Sequence, residues 1–374
     1  MMENFKQNIK TIIFILIANL ILFIFLEGLL STVIVIKDVM SPVELVIERY
    51  HSTFDELLGW INIPNLEIKD YYGPGADLKI NSQCFRSDKE FDIEKPKGKI
   101  RVICSGDSFT FGQGVGNKNT WCEQFTLIDN QFEGINLGQI GYGIDQAYLW
   151  YMRDGKKFEH DIHIFAFITD DIQRMRVDTR QNYSKPILKL VNGNLEVKNV
   201  PLQLKIPRHS ASYFKLIEHL QKLSEFRFYE FFKRITKKVI SQKTIKMNLE
   251  SENEIKPVLL KVLESLHKIN REKGSTLVVV YLPQYEDGKD EREDTNLWKQ
   301  WLKIEMAKRD ILFIDLVDEF RKLSSDELKS FYLEQDCHFS KRGNKFVSEI
   351  LYKKLLSVNE VSKHLPKVGS YHNK

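Results

Sequence analysis

Residues 100–112 read IRVICSGDSFTFG, an apolar run that ends in a Gly-Asp-Ser turn. The run from Ile100 to Cys104 is typical of a buried strand, and the segment after the turn is compatible with a helix. A turn between a strand and a helix presents its side chains at the edge of a parallel sheet, where ligands bind in such folds. The stretch therefore predicts that Ser108 is held at that edge as a nucleophile. Its alternative role is that of a helix N-cap.

The groups that a nucleophilic serine requires occur near the other end of the chain. A serine attacks a carbonyl readily only when a base takes its proton, and the base needs a carboxylate to orient it. Residues 336–340 read DCHFS and precede a final amphipathic segment. We therefore predict a catalytic triad of Ser108, His338 and Asp336, which indicates acyl chemistry. The alternative for His338 is a surface histidine near the start of the last helix.

Short apolar runs alternate with helical periods from residue 99 onward. Strands separated by helices indicate a parallel sheet with helices on both faces. The pattern predicts an α/β domain of three layers, α/β/α, with a parallel five-stranded sheet. The candidate strands are Ile100–Ser105, Gly134–Leu137, Ile162–Ile168, Thr276–Leu282 and Ile311–Ile314, and the candidate helices lie near Trp121–Asp129, Asp145–Arg153, Glu254–Lys273, Thr295–Arg309 and Lys341–Leu356.

In their order, these motifs resemble those of the SGNH/GDSL hydrolase superfamily, which implies a flavodoxin-like sheet. Residues 106–108, GDS, match the first block of the family, Gly141 matches the second, and residues 336–338, DCH, match the last. The resemblance implies that the backbone N–H groups of Ser108 and Gly141 bind the oxyanion of the reaction. Residues 81–87, NSQCFRS, look like the lead-in of membrane-anchored bacterial members.

One block departs from the family pattern. Family members place an asparagine after the third strand, and its amide donates to the oxyanion, whereas this chain has Asp170 there. The resemblance therefore predicts an oxyanion hole of Ser108, Gly141 and Asp170, although an ionised carboxylate accepts hydrogen bonds and cannot donate them. Loss of one oxyanion donor costs roughly a hundred- to a thousandfold in rate. Three alternatives stay open: a protonated Asp170, a hydrogen bond from Thr169 instead, and a catalytically weak site.

The N-terminus predicts a membrane anchor. From Thr11 to Ile36 the chain is almost wholly apolar, which at about 1.5 Å per helical residue is enough to cross a hydrocarbon core of about 30 Å. Lys6 and Lys10 precede this run, so the positive-inside rule predicts a cytoplasmic tail and an extracytoplasmic remainder. A cleaved signal peptide is the alternative, but no small-x-small cleavage site follows the run. Residues 1–36 are thus predicted to be the tail and a single-pass anchor.

Further segments complete the predicted organisation. Residues 37–97 form a turn-rich extension, residues 98–360 the hydrolase-like domain, and residues 361–374 a C-terminal tail. The alternation of strands and helices breaks at about 175–247, which indicates an insertion. Its part 211–246 interleaves Lys and Arg with aromatic residues. This composition indicates either a surface for anionic lipid or acidic glycan, or a cap that packs on the sheet domain.

The composition limits what else the chain can bind. At 374 residues it is long enough for one large domain, and its net charge of +4 is too small and too dispersed to indicate nucleic acid. Four cysteines without CxxC spacing give no metal framework. His160, Asp161 and His163 could be read as metal ligands, but a polar start of a strand is the favoured interpretation. We predict no metal and no cofactor.

Together with the resemblance, these features predict a membrane-anchored, extracytoplasmic serine esterase or O-acyltransferase. The predicted substrate is an ester-linked acyl group of a small molecule or of envelope carbohydrate. One alternative is hydrolysis of lipid esters at the membrane surface. The other is a catalytically weak or inactive relative that binds acylated glycan or a partner protein of the envelope.

Overall fold

The computed structural model describes residues 7–25, 51–180, 183–203, 254–334 and 336–358. The first range belongs to one compact unit of the chain, and the later ranges belong to another.

The N-terminal range is the single helix Gln7–Phe25, whose mean hydropathy is 2.3 over an 18-residue window. Its 19 residues span about 28 Å at about 1.5 Å per residue, close to the thickness of a hydrocarbon core. The helix is therefore long and apolar enough to be a membrane anchor or a signal sequence. The end of the predicted anchor, near Ile36, lies outside the described residues.

The centre of the larger unit is a parallel sheet of five strands, which confirms the predicted fold class. The strands are β1 Ile100–Gly106, β2 Phe132–Gly138, β3 Ile162–Phe167, β4 Thr276–Tyr281 and β5 Leu312–Asp315. Their order across the sheet is β5-β4-β3-β1-β2, and β1 pairs with both β2 and β3. Because β1 has a neighbour on each side, the turn that follows it lies within the carboxyl edge of the sheet and not at its end.

Helices cover both faces of this sheet. Successive side chains of each strand point to opposite faces, so each strand contributes to both hydrophobic clusters. In β3, for example, Ile164 and Ala166 belong to one hydrophobic cluster, and Phe165 and Phe167 belong to the other. The first cluster includes residues of Trp121–Ile128 and Lys341–Leu356, and the second includes residues of Ile144–Arg153, 254–272 and Glu293–Ala307. Shorter helices are Ser108–Phe111, Thr169–Arg174, Tyr285–Gly288, Val317–Phe320 and Ser325–Ser330.

The predicted turn-rich extension packs against the turn that carries the candidate nucleophile. The guanidinium of Arg86 is buried and donates to the backbone oxygens of Phe111 and Gly112, each at 2.6 Å, and to Asn117 Oδ1 at 3.1 Å. Charged donors of this kind make strong hydrogen bonds. Arg86 therefore holds the segment that follows Ser108. The extension also forms two antiparallel strand pairs, Ser52–Asp55 with Gly59–Asn62 and Leu66–Ile68 with Leu78–Ile80.

The described part of the predicted insertion consists of two antiparallel pairs, Thr179–Arg180 with Tyr183–Ser184 and Ile187–Val191 with Asn194–Lys198. The ammonium of Lys185 forms a fully buried ion pair with Asp145 and also donates to Pro186 O at 3.0 Å. A buried ion pair is stable only when its remaining donors are satisfied, as they are here. The pair therefore fixes the insertion to the helix Ile144–Arg153. The basic and aromatic stretch 211–246 lies outside the described residues, and the domain boundaries stay predictions.

Cys104 of β1 and Cys122 of the helix Trp121–Ile128 form a disulfide. This pairing was not predicted from the sequence. Gly134 of β2 leaves the room for this helix, since a Cβ at that position would lie 2.6 Å from Cys122 O. The other two cysteines, Cys84 and Cys337, are free.

The candidate metal ligands of residues 160–163 are part of a buried network instead. His163 is fully buried, stacks on Tyr151 at 3.7 Å, and shares hydrogen bonds with Ser105 Oγ at 2.9 Å and Asn270 Nδ2 at 3.1 Å. His160 contacts the same asparagine at 3.1 Å. The favoured interpretation of these residues as a polar start of a strand agrees with this arrangement.

We expect the larger unit to lose stability as pH falls below 6.5. Burial lowers the pKa of His163 and of His160, and burial together with Arg86 lowers the pKa of His51 to about 4. Below pH 6.5 these histidines bind protons in the unfolded chain, whereas their buried imidazoles in the folded chain become protonated only at lower pH. The free energy of unfolding therefore falls by about 1.4 kcal/mol per pH unit for each histidine. The urea midpoint of the full-length protein should therefore be lower at pH 5 than at pH 7. An equal or higher midpoint at pH 5 would contradict the expected effect.

Candidate active site

The turn after β1 places Ser108 at the first position of a short helix. The N-cap is Asp107, whose Oδ1 accepts from the Phe109 N–H at 2.9 Å, so the N-cap role considered for Ser108 belongs to its neighbour. Gly106 is required at the end of the strand, because a Cβ there would lie 2.4 Å from Ala166 O. As the first residue of the helix, Ser108 has an N–H with no partner inside the helix. This N–H is therefore left for an acceptor outside the helix, and the Oγ of Ser108 lies 3.3 Å from Asp107 Oδ2.

The structure brings the three predicted triad side chains together. His338 Nε2 lies 2.7 Å from Ser108 Oγ, and His338 Nδ1 lies 2.5 Å from Asp336 Oδ1. Gln113 Nε2 donates to the second oxygen of Asp336 at 3.2 Å. His338 is only 8% exposed, which rules out a surface histidine. The arrangement is that of a nucleophile, a base and an orienting carboxylate, and its catalytic role stays a prediction.

The loop that carries His338 is fixed by the helix that follows it. Ser340 is the N-cap of Lys341–Leu356, and its Oγ accepts from the Gly343 N–H at 3.2 Å. The rings of His338 and Phe109 have centroids 4.8 Å apart. The imidazole is thus held against the helix that begins with Ser108.

The surroundings of His338 favour its charged form. Burial by itself would lower the pKa of this imidazole, but the hydrogen bond to Asp336 and the nearby Cys337 thiol outweigh it and raise the pKa to about 9. The same hydrogen bond lowers the pKa of Asp336 against the opposing effect of burial. His338 therefore carries a proton at neutral pH when no substrate is bound.

This pKa predicts an alkaline pH profile for any reaction that uses His338 as its base. Only the neutral imidazole can take a proton from Ser108, so kcat/KM should rise about tenfold per pH unit below the pKa and level off above about pH 9. The measurement is the pH dependence of kcat/KM for 4-nitrophenyl acetate, corrected for spontaneous hydrolysis. A plateau already reached at pH 6 would contradict the prediction.

The loop that contains the second predicted oxyanion donor is linked to the serine turn through Arg174. Nη1 of Arg174 donates to Tyr142 O at 2.8 Å and lies 3.4 Å from Asp107 Oδ2, so the loop that contains Gly141 converges on the turn that contains Ser108. Gly141 has a φ of +78°, a conformation that favours glycine. Among the described residues, no hydrogen-bond acceptor uses the Gly141 N–H. The oxyanion roles of Ser108 and Gly141 stay predictions that this geometry fits.

Asp170, which the sequence resemblance aligns with an asparagine, accepts hydrogen bonds from two side chains. Its Oδ1 accepts from Arg292 Nη1 at 3.0 Å, and its Oδ2 accepts from Gln284 Nε2 at 3.3 Å. The alternative donor, Thr169, is fully buried with its hydroxyl 2.7 Å from the Tyr281 hydroxyl. Of the three alternatives for this block, donation by Thr169 is therefore the one that the structure disfavours. The predicted part of Asp170 in the oxyanion hole stays untested.

The side chains that position the site residues were not predicted from the sequence. A signal existed for Arg174, which lies one helical turn after Asp171 and pairs with it. No such signal connects Gln113 with Asp336, or Arg292 with Asp170. These pairs are far apart in the chain, and no local pattern relates them.

One group of potential metal ligands occurs in the part of the chain that the structure describes. It consists of Asp336, Cys337 and His338, whose ligand atoms lie within 4.8 Å of one another. The two nitrogens of His338 already contact Asp336 and Ser108. A metal ion here would compete with the triad arrangement.

Comparisons with known proteins give structural similarities only. No family model matches the chain, and no curated protein matches it. Similar solved structures include a putative lipolytic protein of the G-D-S-L family from Desulfitobacterium hafniense, with 13% identity, a TM-score of 0.37, and coverage of 68% of this chain and 99% of the other. A lipolytic protein of the G-D-S-L family from Veillonella parvula has 13% identity, a TM-score of 0.37, and coverage of 69% and 100%. The acetylxylan esterase Axe2 from Geobacillus stearothermophilus has 11% identity, a TM-score of 0.40, and coverage of 71% and 98%.

Proposed function

We propose that this chain is a membrane-anchored serine esterase or O-acyltransferase of the SGNH type. The observation that carries the proposal is the hydrogen-bonded series from Asp336 through His338 to Ser108, with 2.5 Å and 2.7 Å between the polar atoms. This geometry lies within the hydrogen-bond reach that a nucleophile and its base require. The order of the sequence motifs supports the same family.

The mechanism follows from the positions of these groups. His338 Nε2 takes the proton of Ser108 as Oγ forms a bond to the ester carbonyl carbon, and Asp336 stabilises the resulting imidazolium. The N–H groups of Ser108 and Gly141 bind the oxyanion of the tetrahedral intermediate. His338 then gives the proton to the leaving alcohol oxygen as the C–O bond breaks, which leaves an acyl group on Ser108. Water or a second hydroxyl attacks this acyl-enzyme by the reverse sequence of proton transfers.

The acyl acceptor decides between the two activities. With water the product is a free acid, and with a sugar hydroxyl the product is a new ester. We propose ester-linked acyl groups of envelope carbohydrate as the substrate. The support for this class comes from the family resemblance and from the apolar N-terminal helix, which would hold the domain at the cell envelope.

The test uses the full-length chain purified in detergent. Incubation with an acetylated oligosaccharide should release acetate, or should transfer acetyl to an added unacetylated oligosaccharide, and both products are measured by mass spectrometry. The matched control is Ser108→Ala. Neither product from folded wild-type protein, with 4-nitrophenyl acetate also unhydrolysed, would contradict the proposal.

We further propose that the larger unit lies on the extracytoplasmic side. Lys6 and Lys10 before the apolar helix support this orientation. The Cys104–Cys122 disulfide supports it independently, because disulfides persist in oxidising compartments. Protease added to right-side-out membrane vesicles should therefore digest the domain. Protection of the domain until the vesicles are lysed would contradict the orientation.

A second candidate function is a non-catalytic protein that binds acylated glycan. The observation that favours it is the Asp170 carboxylate, which is held by Arg292 and Gln284 and places negative charge where the family has a donor. A fluorophosphonate probe separates the candidates. If the wild type is not labelled but Asp170→Asn is labelled, the aspartate silences an intact site, and the second candidate is favoured.

A further inference from the structure

The inference concerns the thiol of Cys337, which stands between two triad residues in the chain and takes no step in the proposed mechanism. Its Sγ lies 3.8 Å from His338 Nδ1, the same atom that contacts Asp336 Oδ1 at 2.5 Å. The ligand atoms of these three side chains all lie within 4.8 Å of one another. Three consecutive residues therefore hold one sulfur, one nitrogen and one oxygen close together.

This set of donor atoms fits zinc. Zinc binds thiolate sulfur, imidazole nitrogen and carboxylate oxygen, whereas Mg²⁺ and Ca²⁺ prefer oxygen ligands. In a tetrahedral zinc site the bonds to sulfur and nitrogen are about 2.3 Å and about 2.0 Å long, which places those two ligand atoms about 3.5 Å apart. The 3.8 Å between Cys337 Sγ and His338 Nδ1 is close to that separation.

The carboxylate becomes the third ligand after a small displacement. Nitrogen and oxygen ligands of a tetrahedral zinc ion are about 3.3 Å apart. His338 Nδ1 and Asp336 Oδ1 are 2.5 Å apart, because a hydrogen bond joins them. Zinc therefore replaces this hydrogen bond as the two atoms separate by about 0.8 Å. The side chain of Asp336 is 34% exposed, so solvent rather than packed protein surrounds part of it.

The outer partners that a zinc site needs are also in place. Gln113 Nε2 donates to Asp336 Oδ2 at 3.2 Å, which leaves Oδ1 for the ion. The other ring nitrogen of His338, Nε2, lies 2.7 Å from Ser108 Oγ. A metal-bound imidazole carries its proton on the nitrogen away from the ion and donates it to an acceptor. In this site the acceptor is the hydroxyl of the candidate nucleophile.

The cluster can be reached from solvent. Cys337 is exposed, and together with Asp336 it lines a cavity of about 320 Å³ whose other walls include Tyr285, Tyr332 and Glu334. A water molecule takes up about 30 Å³ in the liquid. The cavity therefore has room for the ion and for the water molecule that completes its four ligands.

We propose that Asp336, Cys337 and His338 form an inhibitory zinc site. The ion binds Cys337 Sγ, His338 Nδ1 and Asp336 Oδ1, and the protons of the thiol and of Nδ1 pass to the solvent. The imidazole then has its one proton on Nε2 and cannot accept the proton of Ser108, so the acyl-enzyme does not form. The inhibition rests on the proposed function, because it requires His338 as the base, whereas the metal site itself does not.

The first experiment measures inhibition of the full-length protein by Zn²⁺, with 4-nitrophenyl acetate as substrate. Each rate is divided by the rate of the same variant in EDTA, so a change in basal activity does not enter. Zinc should abolish wild-type hydrolysis, and EDTA should restore it. Cys337→Ser should require at least about a hundredfold more zinc, because loss of an outer partner alone costs up to that factor in affinity. Mg²⁺ at the same concentration should not inhibit, since it prefers oxygen ligands.

Cys84→Ser is the matched control for the cysteine variant. Cys84 is the other free cysteine and does not belong to the cluster, so its zinc inhibition should match that of the wild type. A thermal midpoint equal to that of the wild type shows that a variant is folded. Cys337→Ala is measured beside Cys337→Ser, so that the comparison does not depend on one variant.

The second experiment detects the metal site without activity. Cobalt(II) is added to the metal-free, full-length protein, and a bond between cobalt and a thiolate gives a charge-transfer band in the near ultraviolet. The band should form in the wild type and in Ser108→Ala, which keeps all three ligands. It should be absent in Cys337→Ser, and His338→Ala should require more cobalt to reach the same intensity.

Three results would overturn the inference alone. The first is a folded wild type that gives no thiolate–cobalt band, and the second is equal zinc inhibition of the wild type and Cys337→Ser. The third is a wild type that binds cobalt through Cys337 and still hydrolyses the ester at its full rate in zinc. Absence of Ser108-dependent hydrolysis in the metal-free, folded wild type would instead overturn the proposed function, and the cobalt band would still test the metal site.

Discussion

Replacing Ser108 with alanine is expected to lower kcat for ester hydrolysis by at least about ten thousandfold. Alanine removes the atom that forms the acyl-enzyme, while the oxyanion donors and the base remain. The side chain is small and 5% exposed, and Asp107 rather than Ser108 caps the helix, so the fold should be retained. The measurement is kcat of the full-length protein with 4-nitrophenyl acetate at pH 9.

Ser324→Ala is the matched control for this variant. Ser324 also lies at the start of a helix, where its Oγ accepts from the Glu327 N–H and caps Ser325–Ser330. It has no described hydrogen bond to a triad residue, so its loss should affect stability and leave kcat unchanged. Equal activity of Ser108→Ala and wild type would contradict the assignment of the nucleophile. An equal loss in both serine variants would mean that activity follows folding rather than the triad.

Replacing Asp336 with asparagine is expected to lower kcat by about ten thousandfold. An asparagine that donates its amide N–H to His338 Nδ1 stabilises the tautomer with its proton on Nε2. That tautomer cannot accept the proton of Ser108. The same change removes the carboxylate that holds the pKa of His338 at about 9, so the residual activity should lose its inflection near pH 9. The measurement is the pH profile of kcat/KM for wild type and variant.

Asp326→Asn is the control for the aspartate. Asp326 is exposed, lies in the first turn of Ser325–Ser330, and belongs to the same part of the chain. Its rate and pH profile should match those of the wild type. An Asp336→Asn variant with the same inflection and nearly full activity would show that Asp336 does not orient the base.

The architecture of the sheet domain could be predicted because its strands are buried on both faces. Such strands read as continuous apolar runs, and the predicted Ile162–Ile168 and Thr276–Leu282 each extend only one residue beyond the observed strands. The strand predicted at Gly134–Leu137 begins earlier, at the buried Phe132, because the half-buried Glu133 interrupts the apolar run.

The meeting of Ser108 with His338 could also be expected, since both follow recognisable local motifs at the carboxyl edge of the sheet. The hydrogen-bond partners of Asp170 could not be predicted from the sequence. Gln284 and Arg292 reach it across 114 and 122 residues, and long-range contacts between polar side chains leave no periodic pattern. The packing of Arg180 on Gly141 depends in the same way on how the insertion folds back.

The most direct test of the central claim is to map the site of fluorophosphonate labelling on the full-length protein. The claim is that Ser108 is a nucleophile activated by His338, whose Nε2 lies 2.7 Å from its Oγ. At pH 9 we expect a single phosphonyl adduct on the peptide that contains Ser108, and no adduct in Ser108→Ala. A folded wild-type protein that carries no adduct at that pH, or carries it on a different residue, would contradict the claim.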